Sequence, residues 1–88
     1  MTNYILHAES GEYRIQGGDV NFTVEKISEA VELESRIPPD AKMAVKDFIK
    51  EILIDALDSA NDIVINIPDE LTQYIDAIID LIKLFVGG

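Results

Sequence analysis

The N-terminal third of the chain alternates apolar and polar residues with a period of two. The segment YRIQ, residues 13–16, alternates in this way, and VNFTV, residues 20–24, does so again. This period is typical of strands that bury one face. NYILHA, residues 3–8, has a similar strand propensity, and the ESGE that follows it is a turn signal. The pattern therefore predicts a three-stranded β-meander over residues 3–24.

Gly17 and Gly18 separate the second and third predicted strands. Glycine adopts positive φ without a steric penalty, as tight hairpins require. We therefore expect a hairpin turn at these two residues, with at least one positive φ. The alternative, a phosphate-binding loop, is rejected because no Gly-Lys-Ser/Thr, third glycine or nearby cation follows.

From Val24 onward the apolar period becomes that of a helix. A first helix is predicted over residues 24–36, ending before IPP because a residue that precedes proline avoids the α region. A second helix is predicted over residues 39–60, since Pro39 suits a first turn. The apolar stripe of this second helix is Val45, Phe48, Ile49, Ile52, Ala56 and Leu57.

The last third of the chain begins with an extended segment, IVIN, and continues as a third helix over residues 67–86. Asn66 and Asp69 are spaced as a capping pair for this helix, and GG ends it. With 88 residues, the chain has the length of one small domain. We predict a single α+β domain, residues 1–88, in which an N-terminal β-meander or hairpin is followed by three amphipathic helices that form a helical bundle.

Three lysines recur every four residues on the second helix, and three glutamates form a similar row on the first. Like charges at this spacing repel one another weakly, so we expect compensation from nearby groups. The short RIPPD connection predicts antiparallel neighbours. The ion pairs expected from this arrangement are Lys42 with Glu32, Lys46 with Glu29, and Lys50 with Glu25. The alternative is that these charges form a simply solvated face.

Acidic residues outnumber basic ones by 17 to 7, so the formal net charge is −10. Such a surface repels phosphate backbones, and we expect no direct binding of nucleic acid. A row of acids on the second helix is a candidate surface for a basic protein partner. One version of this hypothesis is an inhibitor that mimics nucleic acid on a basic host protein, and plain solubility is the alternative. The row consists of Asp47, Glu51, Asp55 and Asp58.

The third helix has an apolar arc of about 220°, where one core face needs about 100°. A second chain, a partner protein or a membrane surface must cover the rest, unless the β-meander wraps that side. We expect self-association, by default in a two-fold homodimer. The residues predicted to face that chain are Ala77, Leu81 and Leu84. We do not expect membrane association, because the polar face of this helix carries two aspartates and one lysine.

Residues that carry chemistry are few. The chain has no cysteine and a single histidine, His7, so a zinc site is not expected. Ser10 is close to His7 in sequence but lies in no nucleophile motif. Asp58, Asp62 and Asp69 match part of the spacing of a calcium-binding loop. This segment lacks the central glycine that such a loop requires. We predict no metal, no cofactor and no enzymatic activity.

The run AESGEYRIQGGDVNF, residues 8–22, resembles a short G-x-Y-x-I-x-G-x-D hairpin unit of small phage and prophage proteins. The residues that carry this resemblance are Gly11, Tyr13, Ile15, Gly17 and Asp19. The resemblance implies a phage or mobile-element origin, where small acidic proteins often bind host proteins. The chain also begins without a signal-peptide pattern. We therefore expect a small acidic, oligomeric protein–protein interaction module in the cytoplasm of a bacterial host, which binds a host partner or itself.

Overall fold

The computed structural model describes residues 2–58 and 62–87, and over these residues the chain is α+β, as predicted. In chain order the elements are β1 (Thr2–Ala8), β2 (Gly11–Gly17), α1 (Val24–Leu33), a 3₁₀ helix (Pro39–Ala41), α2 (Lys42–Leu57), β3 (Ile63–Asn66), a second 3₁₀ helix (Asp69–Tyr74) and α3 (Ile75–Phe85).

The hairpin turn lies at Glu9 and Ser10, because β1 and β2 pair antiparallel up to Ala8 and Gly11. A type I′ turn would need positive φ at both loop residues. Within residues 2–58 and 62–87 no residue other than glycine has a positive φ, and Gly11 has a φ of 142°. The positive φ at this reversal therefore falls on Gly11, the glycine after the turn, in the ESGE segment where the sequence indicates a turn.

The hairpin expected at Gly17 and Gly18 is wrong. Gly17 ends β2, and Gly11 is the one described glycine with a positive φ. The backbone after β2 is held instead by the C-terminal end of the chain: the Gly18 N–H donates to the Val86 carbonyl at 3.1 Å, and the Asn21 N–H donates to the Phe85 carbonyl at 2.9 Å. These bonds fix residues 18–23 as a connection rather than a strand.

The third strand of the sheet is β3, not residues 20–24 of the predicted meander. β3 runs parallel to β1, and the strand order is β2-β1-β3. Its register pairs Ile5 with Val64, and the Ile67 N–H donates to the His7 carbonyl at 2.9 Å just beyond the strand. A segment that we expected to be extended thus completes the sheet through a non-local pairing.

The helices are shorter than predicted. Thr23 caps α1, since its hydroxyl accepts from the Lys26 N–H at 3.1 Å, and α1 ends at Leu33 rather than at residue 36. The second predicted helix is a 3₁₀ turn followed by α2, and its expected residues 59 and 60 lie outside the described part of the chain.

The third predicted helix is α-helical only from Ile75, after a 3₁₀ helix. The capping pair expected at its start is not formed, because Asn66 belongs to β3 and Pro68 precedes the 3₁₀ helix without any side-chain cap. The first part of the segment is therefore wound more tightly than the pattern indicates.

One face of the sheet carries the core. Tyr4, Leu6 and Ile15 are almost fully buried on this face, and the buried side chains of all three α-helices belong to the same cluster. The helices therefore pack with the sheet around a shared core and do not form a bundle that stands apart from it. The opposite face carries polar residues such as Arg14 and Gln16, which are exposed.

Candidate interaction surfaces

An open groove with apolar walls runs between α1 and α3. Its volume is about 530 Å³. Leu33, at the end of α1, is 84% exposed, and Leu84, near the end of α3, is 67% exposed. The groove, called the apolar groove below, is lined by Lys26, Glu29, Ala30, Leu33, Glu34, Leu81, Leu84 and Phe85. Two large leucines thus face water on opposite walls of one groove.

The structure corrects the predicted self-association set at two of its three residues. Ala77 is 1% exposed and Leu81 is 3% exposed, so both are covered within one chain, although Leu81 reaches the floor of the apolar groove. Leu84 is the member of the set that is available to a second chain. The part of the apolar arc that a second chain must cover is smaller than expected. The reason is that α3 contacts α2, β2 and the preceding 3₁₀ helix at once, so the core of the same chain covers most of the arc.

Leu33 is a residue of this groove that the sequence analysis did not select. At 100° per residue it lies about 140° from the centre of the stripe formed by Ile27 and Val31. Those two residues are buried in the core. An isolated leucine on the polar side of an amphipathic helix is therefore the signal that would have identified this wall of the groove.

Arg36 ties the end of α1 to α3 at one margin of the apolar groove. Its Nε donates to Glu34 Oε1 at 2.7 Å, and its Nη2 donates to Asp80 Oδ2 at 2.9 Å. The hydrogen bonds from Arg36 lower the pKa of Glu34, and the bonds to Glu34 and Asp80 raise the pKa of Arg36. Arg36 and Glu34 therefore stay charged near neutral pH, and Arg36 links the chain just after α1 to α3.

The predicted ladder of lysine–glutamate pairs is not formed as ion pairs. None of the three Lys–Glu pairs is among the salt bridges found within residues 2–58 and 62–87. Lys42 Nζ instead donates to the carbonyls of Val31, Glu32 and Glu34, at 2.8, 2.6 and 3.0 Å. Lys42 therefore faces α1 as expected, but it binds carbonyl groups at and just beyond the helix end, where a cation also meets the negative end of the helix dipole.

The acidic row of α2 is exposed along its whole length, at Asp47, Glu51, Asp55 and Asp58. Two of its members, Glu51 and Asp55, also line a second groove between α2 and β3, of about 310 Å³. The other residues of this second groove, called the edge groove below, are Phe48, Ile52, Val64, Ile65 and Asn66. The structure thus places half of the row next to a strand, which helix periodicity alone could not indicate.

The residues considered for catalysis have other partners. His7 Nδ1 lies 3.5 Å from Glu12 Oε2, and the Ser10 hydroxyl hydrogen-bonds with the Tyr13 hydroxyl at 2.8 Å. No hydrogen bond joins His7 to Ser10 in the described ranges. Within the same ranges no group of three or more His, Cys, Asp or Glu side chains is arranged to hold a metal ion.

Comparison of the chain with models of protein families, with curated proteins and with solved structures found no match. Of the helices that the described residues form, none has both the length and the apolar character needed to cross a bilayer. A functional interpretation therefore depends on the two grooves and the charge around them.

Proposed function

We propose that this chain is a small acidic, oligomeric protein–protein interaction module that associates with a second copy through the apolar groove. The observation that carries the proposal is the exposure of Leu33 and Leu84 on the two walls of that groove. Large apolar side chains grouped in a concave surface and rimmed by charged residues are typical of interaction sites. A two-fold arrangement places each groove against its copy, so that both leucines of both chains are covered.

The size of the apolar surface predicts a weak dimer. Full burial of a leucine side chain contributes about 1.5–3 kcal/mol, so four leucines contribute at most roughly 6–12 kcal/mol. Association costs an estimated 4–15 kcal/mol in lost freedom of motion. The balance favours a dissociation constant in the micromolar range or above, and the charge of −10 on each chain raises it further at low salt.

The test is sedimentation velocity over a range of about 1–500 µM, which brackets a micromolar dissociation constant. The wild-type chain should pass from monomer to dimer across this range, and Leu84→Glu and Leu33→Glu should remain monomeric. Leu57→Glu is the matched control, since Leu57 is 61% exposed on α2 and lies outside the apolar groove. A wild type that stays monomeric at the highest concentration would contradict the proposal, as would dimerisation of Leu84→Glu equal to that of the control.

The exposed row on α2 supports a second candidate function, an inhibitor that mimics nucleic acid on a basic host protein. Asp47, Glu51 and Asp55 are four residues apart, a separation of about 6 Å along the helix axis, and Asp58 follows three residues later at the C-cap. Together they give a line of negative charge. A pull-down from bacterial lysate should then capture a basic protein that is released as salt rises. Replacing Asp47 and Asp58 with Asn should weaken that capture, and capture independent of salt would contradict the mimic.

We further propose that the chain originates from a phage or mobile element and acts in the cytoplasm of a bacterial host. The support is the resemblance of residues 8–22 to the hairpin unit, of which Gly11, Tyr13, Ile15 and Gly17 lie in β2. Fractionation of a host that expresses the tagged chain tests the location, with recovery in the membrane or exported fraction as the contrary result.

A further inference from the structure

The outer edge of β3 presents free backbone groups. β3 pairs with β1 on one side, and in the part of the chain described, residues 2–58 and 62–87, no strand pairs with its other side. The Ile67 N–H donates to the backbone carbonyl of His7. The register places Ile5 opposite Val64 and His7 opposite Asn66. In a parallel ladder alternate residues bond to the same neighbour. Ile65 and Ile67 therefore bond to β1, and the N–H and C=O groups of Val64 and Asn66 point outward.

The edge groove lies beside these free groups and combines apolar and acidic side chains. Phe48 and Ile65 are half-buried and Ile52 is buried, which gives the groove apolar residues, and Glu51 and Asp55 on α2 are exposed. Lys50, the nearest lysine along α2, lies about 100° around the helix axis from Glu51. The negative charge of the wall is therefore not offset by a lysine on the same face.

We propose that the edge groove binds an extended, basic polypeptide segment of a partner protein, which adds to the sheet beside β3. The backbone of the segment pairs with Val64 and Asn66, as in other cases of strand addition. Side chains alternate along a strand, so every second side chain of the segment faces α2. Lysines or arginines at those positions lay their alkyl chains against Phe48 and Ile52 and bring their charges to Glu51 and Asp55.

Charge decides between this occupant and a second copy of the chain. Pairing β3 with its own copy would bring two acidic rows together on chains that each carry −10, and like charges across an interface oppose association. A basic segment is attracted by the same row. The site is separate from the apolar groove, so a dimer formed through Leu33 and Leu84 leaves it open.

The test uses a fluorescein-labelled heptapeptide of alternating Lys and Val as the probe, titrated with the full chain and followed by fluorescence anisotropy. Two matched peptides carry Glu in place of Lys, or N-methyl groups on alternate amides. The Lys–Val probe should bind, and each matched peptide should bind at least about tenfold more weakly, since one reverses the charge and the other removes strand hydrogen bonds.

Variants of the chain locate the site. Glu51→Lys with Asp55→Lys should weaken binding of the probe by about tenfold or more. Asp19→Lys with Glu25→Lys makes the same change in net charge at exposed positions away from the groove, and it should weaken binding by no more than about threefold. Leu84→Glu should bind the probe as the wild type does, because it alters only the apolar groove.

Amide hydrogen exchange distinguishes strand addition from simple charge attraction. The amides of Val64 and Asn66 should exchange fast in the free chain and become protected with the Lys–Val probe bound, while those of Ile65 and Ile67 are protected in both states. Absence of binding, equal binding by the two double variants, or binding without protection of Val64 and Asn66 would each overturn the proposal. Absence of binding would leave the acidic row as a guard against edge-to-edge pairing.

Discussion

At the scale of single residues, Gly17 shows how a glycine can be required by a neighbour rather than by its own φ. A Cβ atom placed on Gly17 would lie 2.7 Å from the Val86 Cβ and 2.7 Å from the Val86 carbonyl oxygen. Both distances are below van der Waals contact, and one of the two atoms belongs to the backbone. Gly17 therefore lets the end of the chain dock on the end of β2, where Val86 is almost fully buried.

We expect Gly17→Ala to lower the free energy of unfolding by about 1–3 kcal/mol, because it overpacks this contact. Gly87→Ala is the control, since a Cβ at Gly87 would have no atom within 4 Å, and it should change stability by less than about 0.5 kcal/mol. Urea unfolding followed by circular dichroism measures both. Equal stability of the two variants would mean that the docking of Val86 contributes little to the fold.

Tyr4 gives a second prediction at this scale, because its hydroxyl is buried and has no hydrogen-bond partner in the described structure. Burial raises the pKa of Tyr4 above its ordinary value of 10.0. Tyr4→Phe removes a polar group without a partner, and it should leave stability unchanged or raise it by about 1 kcal/mol near pH 7.

The stability of the wild type should fall above about pH 10, where the unfolded chain loses the Tyr4 proton and the folded chain retains it. The contribution of Tyr4 to the free energy of unfolding is fully present below the pKa that Tyr4 has in the unfolded chain. It is lost as the pH rises toward the pKa of Tyr4 in the folded chain, at up to about 1.4 kcal/mol per pH unit. Urea unfolding near pH 7 and pH 11 should show the advantage of Tyr4→Phe growing with pH. A difference in stability between Tyr4→Phe and the wild type that is the same at both pH values would contradict this prediction.

At the scale of elements, Lys42 connects the start of α2 to the end of α1. Its three hydrogen bonds go to backbone carbonyls rather than to the glutamates of the predicted ladder. Helix periodicity correctly placed the lysine on the side toward α1, but it could not show that α1 ends at Leu33. Because the helix ends there, carbonyls at and just beyond its end lie within hydrogen-bond distance of Lys42 Nζ, whereas no ladder carboxylate forms a salt bridge with Lys42 in the described residues.

Lys42→Met should therefore destabilise the fold by about 1–2 kcal/mol, since it removes charged hydrogen bonds at a helix end. Lys50→Met is the matched control, with an expected change of less than about 0.5 kcal/mol, because Lys50 takes part in none of the salt bridges of the described residues. Thermal and urea unfolding of both variants provide the measurement. Comparable losses for the two would restore the ladder interpretation.

The elements that could be predicted from the sequence are those specified by local pattern. The alternation in residues 13–16 and the stripe of α2 give β2 and most of α2, and ESGE gives the turn. β3 joins the sheet by pairing with β1. Residues 20–24 are not a strand of the sheet, and the segment after β2 bonds instead to the end of the chain, Gly18 to Val86 and Asn21 to Phe85. Such contacts join residues far apart in sequence, so no local period indicates them. The same holds for the grooves, which arise where α1 meets α3 and where α2 meets β3.

At the scale of the whole molecule, net charge governs how copies meet. Each chain carries −10, while the apolar groove exposes uncharged leucines between charged margins. Attraction between two grooves is therefore local and apolar, and repulsion acts between whole chains. Salt weakens the repulsion between chains, since the Debye length falls from about 10 Å at 0.1 M to about 3 Å at 1 M.

Self-association should consequently strengthen with salt, with a dissociation constant at least roughly threefold lower at 0.5 M than at 0.05 M NaCl. Binding of the Lys–Val peptide to the edge groove should weaken over the same interval, because there the charges attract. Sedimentation of the wild type measures the first response and anisotropy the second, with sodium chloride as the single variable. Leu84→Glu, which adds charge to the groove, should remain monomeric at both salt concentrations. A dimer that weakens as salt rises would mean that ion pairs rather than leucines hold it together, and the apolar groove would lose its assigned role.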